Sequence, residues 1–147
     1  MQTLSDHILD IAQNSIRAQA SRVEIKLQEN ITKDSLVITI RDNGCGMDET
    51  TVAKVTDPFF TSRTVRKVGL GIPLFKQNAE ATGGTLKIKS KPGKGTTIEA
   101  SFGLLHWDRP PMGDIAGSIV ILVSANPEIN FIYRHTTEKG EYTFDTN

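Results

Sequence analysis

The chain has 147 residues, 37% apolar and 23% charged, with 17 Lys and Arg balanced by 17 Asp and Glu. That suffices for one domain with a real core and is too apolar for disorder, and it lacks the basic excess that nucleic acid or an anionic membrane selects. One cysteine, Cys45, excludes an internal disulfide framework and fits a cytoplasmic setting, and the charged N-terminus reads neither as a signal peptide nor as a membrane span.

Residues 3–20 read as a helix. Leu4, Ile8, Leu9, Ile11, Ala12, Ile16 and Ala18 fall in one broad arc, and His7, Asp10, Asn14 and Arg17 gather on the other side. Residues 22–28 and 36–41 alternate as strands, with Val23, Ile25 and Leu27, then Leu36, Ile38 and Ile40, on single faces. "ENITKD" joins them as a hairpin, and residues 48–55 fit a short helix capped by Asp48. Residues 57–68 have no sustained period and read as a long loop of the kind that is usually functional. "GLGIPLFKQNAEATGG" reads as a helix between Gly69-x-Gly71 and Gly83-Gly84. "TLKIKS" and "TTIEASF" form a second hairpin in which Leu86 and Ile88 answer Ile98, Ala100 and Phe102. Past a boundary near 104, "GSIVILVSANP", "NFIYRHTT" and "GEYTFD" read as three more strands. The fold class is α+β: a two-layer sandwich of helices on one face of a mixed, mostly antiparallel sheet, residues 1–103, with a β extension over 104–147.

Four stretches matter together: "DIAQNSIRA" (10–18), "DNGCGMD" (42–48), "DPFFTSR" with "VGLGI" (57–63 and 68–72), and "GKGTT" (93–97). Alone, each has an ordinary reading, since two glycines after a strand usually make a turn. Asp10 and Asn14, four apart on a helix, share one face, or are simply a solvated polar face. Asp42, at a strand end, either caps a turn or points into a pocket, where a buried carboxylate needs a donor.

In this order and in one short chain, the four stretches resemble the ATP-binding domain shared by gyrase B subunits, HSP90, histidine kinases and MutL, the GHKL family. They match its N box, G1 box, lid segment, G2 box and final G-T motif over roughly residues 3–103. The resemblance implies ATP and Mg²⁺ as cofactors. It makes Asn14 the Mg²⁺ ligand and puts Asp10 where the ATPase members carry Glu, as base or water-holder. Asp42 then reads the adenine 6-amino group, helped by Thr96, while Gly44 and Gly46 leave backbone bare for the base. A charge-assisted bond of that kind is worth about 1.5–3 kcal/mol, and guanine would oppose acceptor to acceptor. Gly69, Leu70 and Gly71 offer backbone N–H groups to phosphate at a helix start. Lys67 stands where the family often has another Gly, either stiffening the loop or reaching the γ-phosphate. Thr61, Ser62, Arg63 and Arg66 belong to the lid, and Phe59 and Phe60 anchor its base. No zinc-ligand spacing is present, and Cys45 reads as an incidental small residue.

The layout reads as that of a stand-alone module. It suggests a protein kinase subunit acting in trans on a histidine or serine of a separate, unidentified protein. The alternatives are an ATP-dependent switch with slow hydrolysis and a binding-only module. The strands of the extension are expected either to add to the domain's sheet edge or to pair with another copy, and a homodimer is favoured. Neither nucleic acid nor membrane is expected as a partner.

Overall fold

The computed structural model describes residues 3–55 and 71–146. Helix α1 (Leu4–Arg17) opens with a capping box: Thr3 Oγ1 accepts the Asp6 N–H at 3.1 Å, and Asp6 accepts the Thr3 N–H at 2.9 Å. Strands β1 (Arg22–Asn30) and β2 (Ser35–Asp42) form the first hairpin, and α2 (Glu49–Val55) follows, its start held by Asp48 accepting from the Thr51 N–H at 2.8 Å. Then come α3 (Gly71–Ala81), β3 (Leu86–Lys91) and β4 (Gly95–Gly103), then α4 (Ile115–Ala125), β5 (Asn130–Thr137) and β6 (Gly140–Asp145).

One six-stranded sheet runs β3-β4-β2-β1-β5-β6. Every neighbouring pair is antiparallel except β1 and β5, which are parallel with Val23 opposite Phe131 and Leu27 opposite His135. The alternation read from the sequence is the one that packs. Val23, Ile25 and Leu27 are buried with Ile38, Ile40, Ile98, Ala100 and Phe102 under Leu4, Ile8 and Ile11 of α1 and Ile72 and Phe75 of α3. Each such side chain contributes about 1.5–3 kcal/mol by leaving water.

Two expectations change. The strand read over 117–127 is a helix, α4, while β5 and β6 are strands as expected and extend the sheet at β1. Asp114 caps α4 by accepting from the Gly117 N–H at 2.9 Å, and Ile115, Ser118, Ile119 and Leu122 are buried. Their spacing is helical; the β-branched run "IVILV" concealed it, because a short apolar run fits strand or helix equally. The second change concerns α1. His7, on the side read as polar, is fully buried, because α3 covers that side. Among the described residues, no helix is long and apolar enough to cross a membrane.

Candidate functional site

The segment that follows β2 is clamped from two directions. The Cys45 N–H donates to Ala18 O at 2.9 Å, tying the loop to the end of α1, and Cys45 O accepts from the Gly93 N–H in the β3–β4 turn at 2.6 Å. Asn43 Oδ1 accepts from both the Ser21 and Arg22 N–H groups at 2.9 Å, which fixes the start of β1 against the same loop. The two glycines answer to this clamp. A Cβ on Gly44 would stand 2.8 Å from Ala18 O, and one on Gly46, at φ +71°, would stand 2.0 Å from Lys91 O. Their bareness is therefore required by protein backbone, whatever else approaches.

This clamp aims Asp42. Its Oδ2 accepts from the Ser15 hydroxyl at 2.6 Å and its Oδ1 from the Gly44 N–H at 2.8 Å. Each carboxylate oxygen keeps a second lone pair. Beside it lies a cavity of ≈ 190 Å³, its wall shared by Ile11, Asn14, Asp42, Met47, Thr96 and Ile98. That is smaller than the roughly 300–1,000 Å³ of pockets for drug-sized ligands, so it suits one flat ring system. Thr96 Oγ1 lies 2.8 Å from Ser90 Oγ, which is 3.0 Å from Gly95 O and accepts from the Met47 N–H at 2.8 Å. With Ser90 donating to Gly95, the Thr96 hydroxyl donates to Ser90 and turns its lone pairs outward.

Toward α3 the character becomes polar. Asn14 Oδ1 accepts from Arg17 at 3.3 Å, while its Nδ2 is buried with no partner among the described residues. One turn away, Asp10 meets the start of α3: a Cβ on Gly71 would stand 3.2 Å from the Asp10 Cβ. A turn further back His7 Nε2 lies 2.7 Å from Asn78 Nδ2 with its ring 5.0 Å from that of Phe75, and burial pushes the imidazole pKa down to about 4. Asp10, Asn14, Asp42, Gly44, Gly46, Gly71 and Thr96 thus surround one region. Thr61, Ser62, Arg63, Arg66, Lys67, Gly69 and Leu70, with Phe59 and Phe60, lie outside the described residues.

Sequence reasoning missed Ser15, Asn43 and Ser90. For Ser15 a signal existed: it is four residues after Ile11, on the core arc, and is buried, so its hydroxyl needed a partner. Asn43 and Ser90 carried no signal, because their partners are set by the loop clamp.

Residues 2–106 match the family described as histidine kinase-, DNA gyrase B-, and HSP90-like ATPase. The chain belongs to this family. It is a histidine-kinase-like ATP-binding module. It is 36% identical over 96 residues to the signal transduction histidine-protein kinase AtoS of Escherichia coli (strain K12), covering 65% of this chain and 16% of that protein. It is 38% identical over 94 residues to the sensor protein kinase FleS of Pseudomonas aeruginosa, covering 64% of this chain and 23% of that one. The chain thus spans less than a quarter of either kinase. A crystal structure of the N-terminal domain of a DNA repair protein shares the fold, with TM-score 0.64 at 17% identity, over 97% of this chain and 52% of that one.

Proposed function

We propose that the chain binds Mg-ATP with adenine against Asp42 and phosphates toward Asn14, Asp10 and Gly71, and that it is a protein kinase subunit acting in trans on a separate protein. Asp42 carries the reading. Its carboxylate is held by Ser15 and Gly44 at the wall of an apolar cavity, with lone pairs left for the adenine amino group. The fit extends to the metal. Asn14 and Asp10 supply hard oxygen donors, of which Mg²⁺ needs only one or two from protein. The partnerless edge of the Asn14 amide offers its N–H to a phosphate oxygen, or its oxygen to the cation after an amide turn. Bound there, Mg²⁺ would neutralise phosphate charge.

On this reading Thr61, Ser62, Arg63, Lys67, Gly69 and Leu70 face the triphosphate, by motif alone. Residues 1–103 form the nucleotide unit and 104–147 its extension, in a cytoplasmic homodimer. Kinase activity is supported by the kinases the chain resembles, and an acceptor carried elsewhere fits His7 being sealed from solvent. One observation favours a second reading, a switch with slow hydrolysis. Asp10 is a methylene shorter than the Glu of ATPase members, which shortens its reach to a water. Incubation with γ-labelled ATP and candidate partners tests both. Label appearing on a partner supports the kinase, and released phosphate alone supports the switch. Binding with neither product leaves a binding-only module, and absence of binding sinks the reading.

A further inference from the structure

Between α2 and the β3–β4 hairpin, where β2 ends and β4 begins, lies a second and larger hollow, of ≈ 600 Å³. Val52, Ala53 and Ile88 give it an apolar wall, and Arg41, Lys89, Lys91 and Lys94 share its lining. None of these four cations makes an ion pair or side-chain hydrogen bond among the described residues. The chain as a whole is neutral, so the excess is local. Among the described residues, two carboxylates share the lining, Asp42 and Glu49, and Asp42 is already held by Ser15 and Gly44.

Edge protection accounts for part of this charge. β3 is an edge strand, and lysines along an edge discourage pairing with another chain. Arg41 belongs to the inner strand β2 and Lys94 to the hairpin turn, and neither guards an edge. An apolar wall and cations in one lining are the form of a protein-docking site with charge selection. A nucleic acid fits less well. Among the described residues, no aromatic side chain lines the hollow to stack a base, and the chain has no basic excess. Asn14 and Gly71, which lie toward the proposed phosphates, are not part of the lining.

We propose that this hollow docks an acidic, partly apolar segment of a partner protein. The segment sets its carboxylates against Arg41, Lys89, Lys91 and Lys94 and an aliphatic side chain against Val52, Ala53 and Ile88. The wall is common property: Asp42 and Thr96 line both this hollow and the smaller cavity, and Ser90 joins Thr96 to Met47. Docking itself stands on charge and shape alone; its coupling to nucleotide rests on the function proposed above.

The test uses the full chain and a short fluorescein-labelled peptide alternating Glu and Leu, followed by fluorescence anisotropy. Saturable binding is expected, weakened about tenfold by Lys89→Glu with Lys94→Glu and unchanged by Lys33→Glu in the distant β1–β2 turn. An all-Glu peptide should bind more weakly. Ala53→Asp should weaken the Glu-Leu peptide without touching the four cations. Equal loss with Lys33→Glu overturns the proposal, as does absence of binding. So does displacement of the peptide by a single-stranded oligonucleotide at lower concentration than by unlabelled peptide. Mg-ATP titrated separately into each protein keeps the two readings apart. Wild-type protein that binds peptide but not Mg-ATP sinks the nucleotide function and leaves the docking surface standing. The reverse result sinks the docking surface alone.

Discussion

The central β1–β2 pair is flanked by two hairpins of opposite use. On one side β4 and β3 join β2 antiparallel, and their turn clamps the loop that aims Asp42. On the other, β5 joins β1 in parallel through the crossover helix α4, and neither β5, β6 nor α4 contributes a residue to the small cavity. The second flank covers core instead: Ile119 and Leu122 pack with α1, and Phe131 and Tyr133 continue the apolar row of β1. At its far end His135 bonds Glu29 and lies 3.3 Å from the Tyr133 hydroxyl, a polar clasp between β5 and β1. One flank builds the wall of the cavity proposed for the nucleotide, and the other covers core.

Deleting residues 104–147 tests the division most severely. It strips α4 from α1 and bares the edge of β1, so the remainder should aggregate or lose cooperative melting. A soluble remainder with unchanged circular dichroism and a sharp transition would show that the second flank is dispensable.

Acid should come next. His7 is neutral in the fold, with its pKa held down to about 4 by burial, whereas the unfolded chain takes up a proton near the ordinary 6.5. Above pH 6.5 the group adds no pH dependence. Between 6.5 and about 4 the unfolded state gains protons that the fold refuses, so stability falls as pH falls, by as much as ~3 kcal/mol. Urea midpoints from pH 7 to 4 should show this slope, and His7→Gln should flatten it; parallel slopes in the two proteins would count against it.

Within the binding flank, Asp42→Ala should weaken ATP by about 1.5–3 kcal/mol, roughly 10- to 150-fold, with the melting temperature nearly kept. A folding collapse with residual affinity intact would instead make Asp42 a turn residue. Ser15→Ala removes only the hydroxyl that holds Asp42 Oδ2, so a loss of about 1 kcal/mol in ATP affinity, roughly fivefold, is expected by calorimetry. The smallest effect belongs to the other flank. Glu29→Gln weakens a partly exposed pair and should cost under about 1 kcal/mol of stability while ATP affinity stays the same. A change in ATP affinity there would erase the distinction between the flanks.

How much of this was legible in the residues depended on whether partners were local. The strands over Val23–Leu27 and Leu36–Ile40 follow from alternation, and the Asp48 cap from its neighbours. Asp42 and Asn14 could be singled out because their motifs recur in a known order. The polar side of α1 suggested solvent or ligand, yet His7 faces α3, because Asn78 and Phe75 reach it from the far side of an interval that no local pattern spans. For α4, local preference and tertiary packing disagreed, and the contact with α1 decided in favour of the helix. The glycines of the G1 stretch were read as room for a base; Ala18 and Lys91, distant in sequence, also require them.

The parallel pairing of β1 with β5 has a consequence for how the chain assembles. Val23 finds Phe131 roughly a hundred residues later, a long closure that slows folding more than it weakens the finished sheet. During synthesis β1 can pair with β2 at once, but its second edge stays bare until β5 has left the ribosome. In that interval the newborn chain carries an open strand edge that invites misassembly.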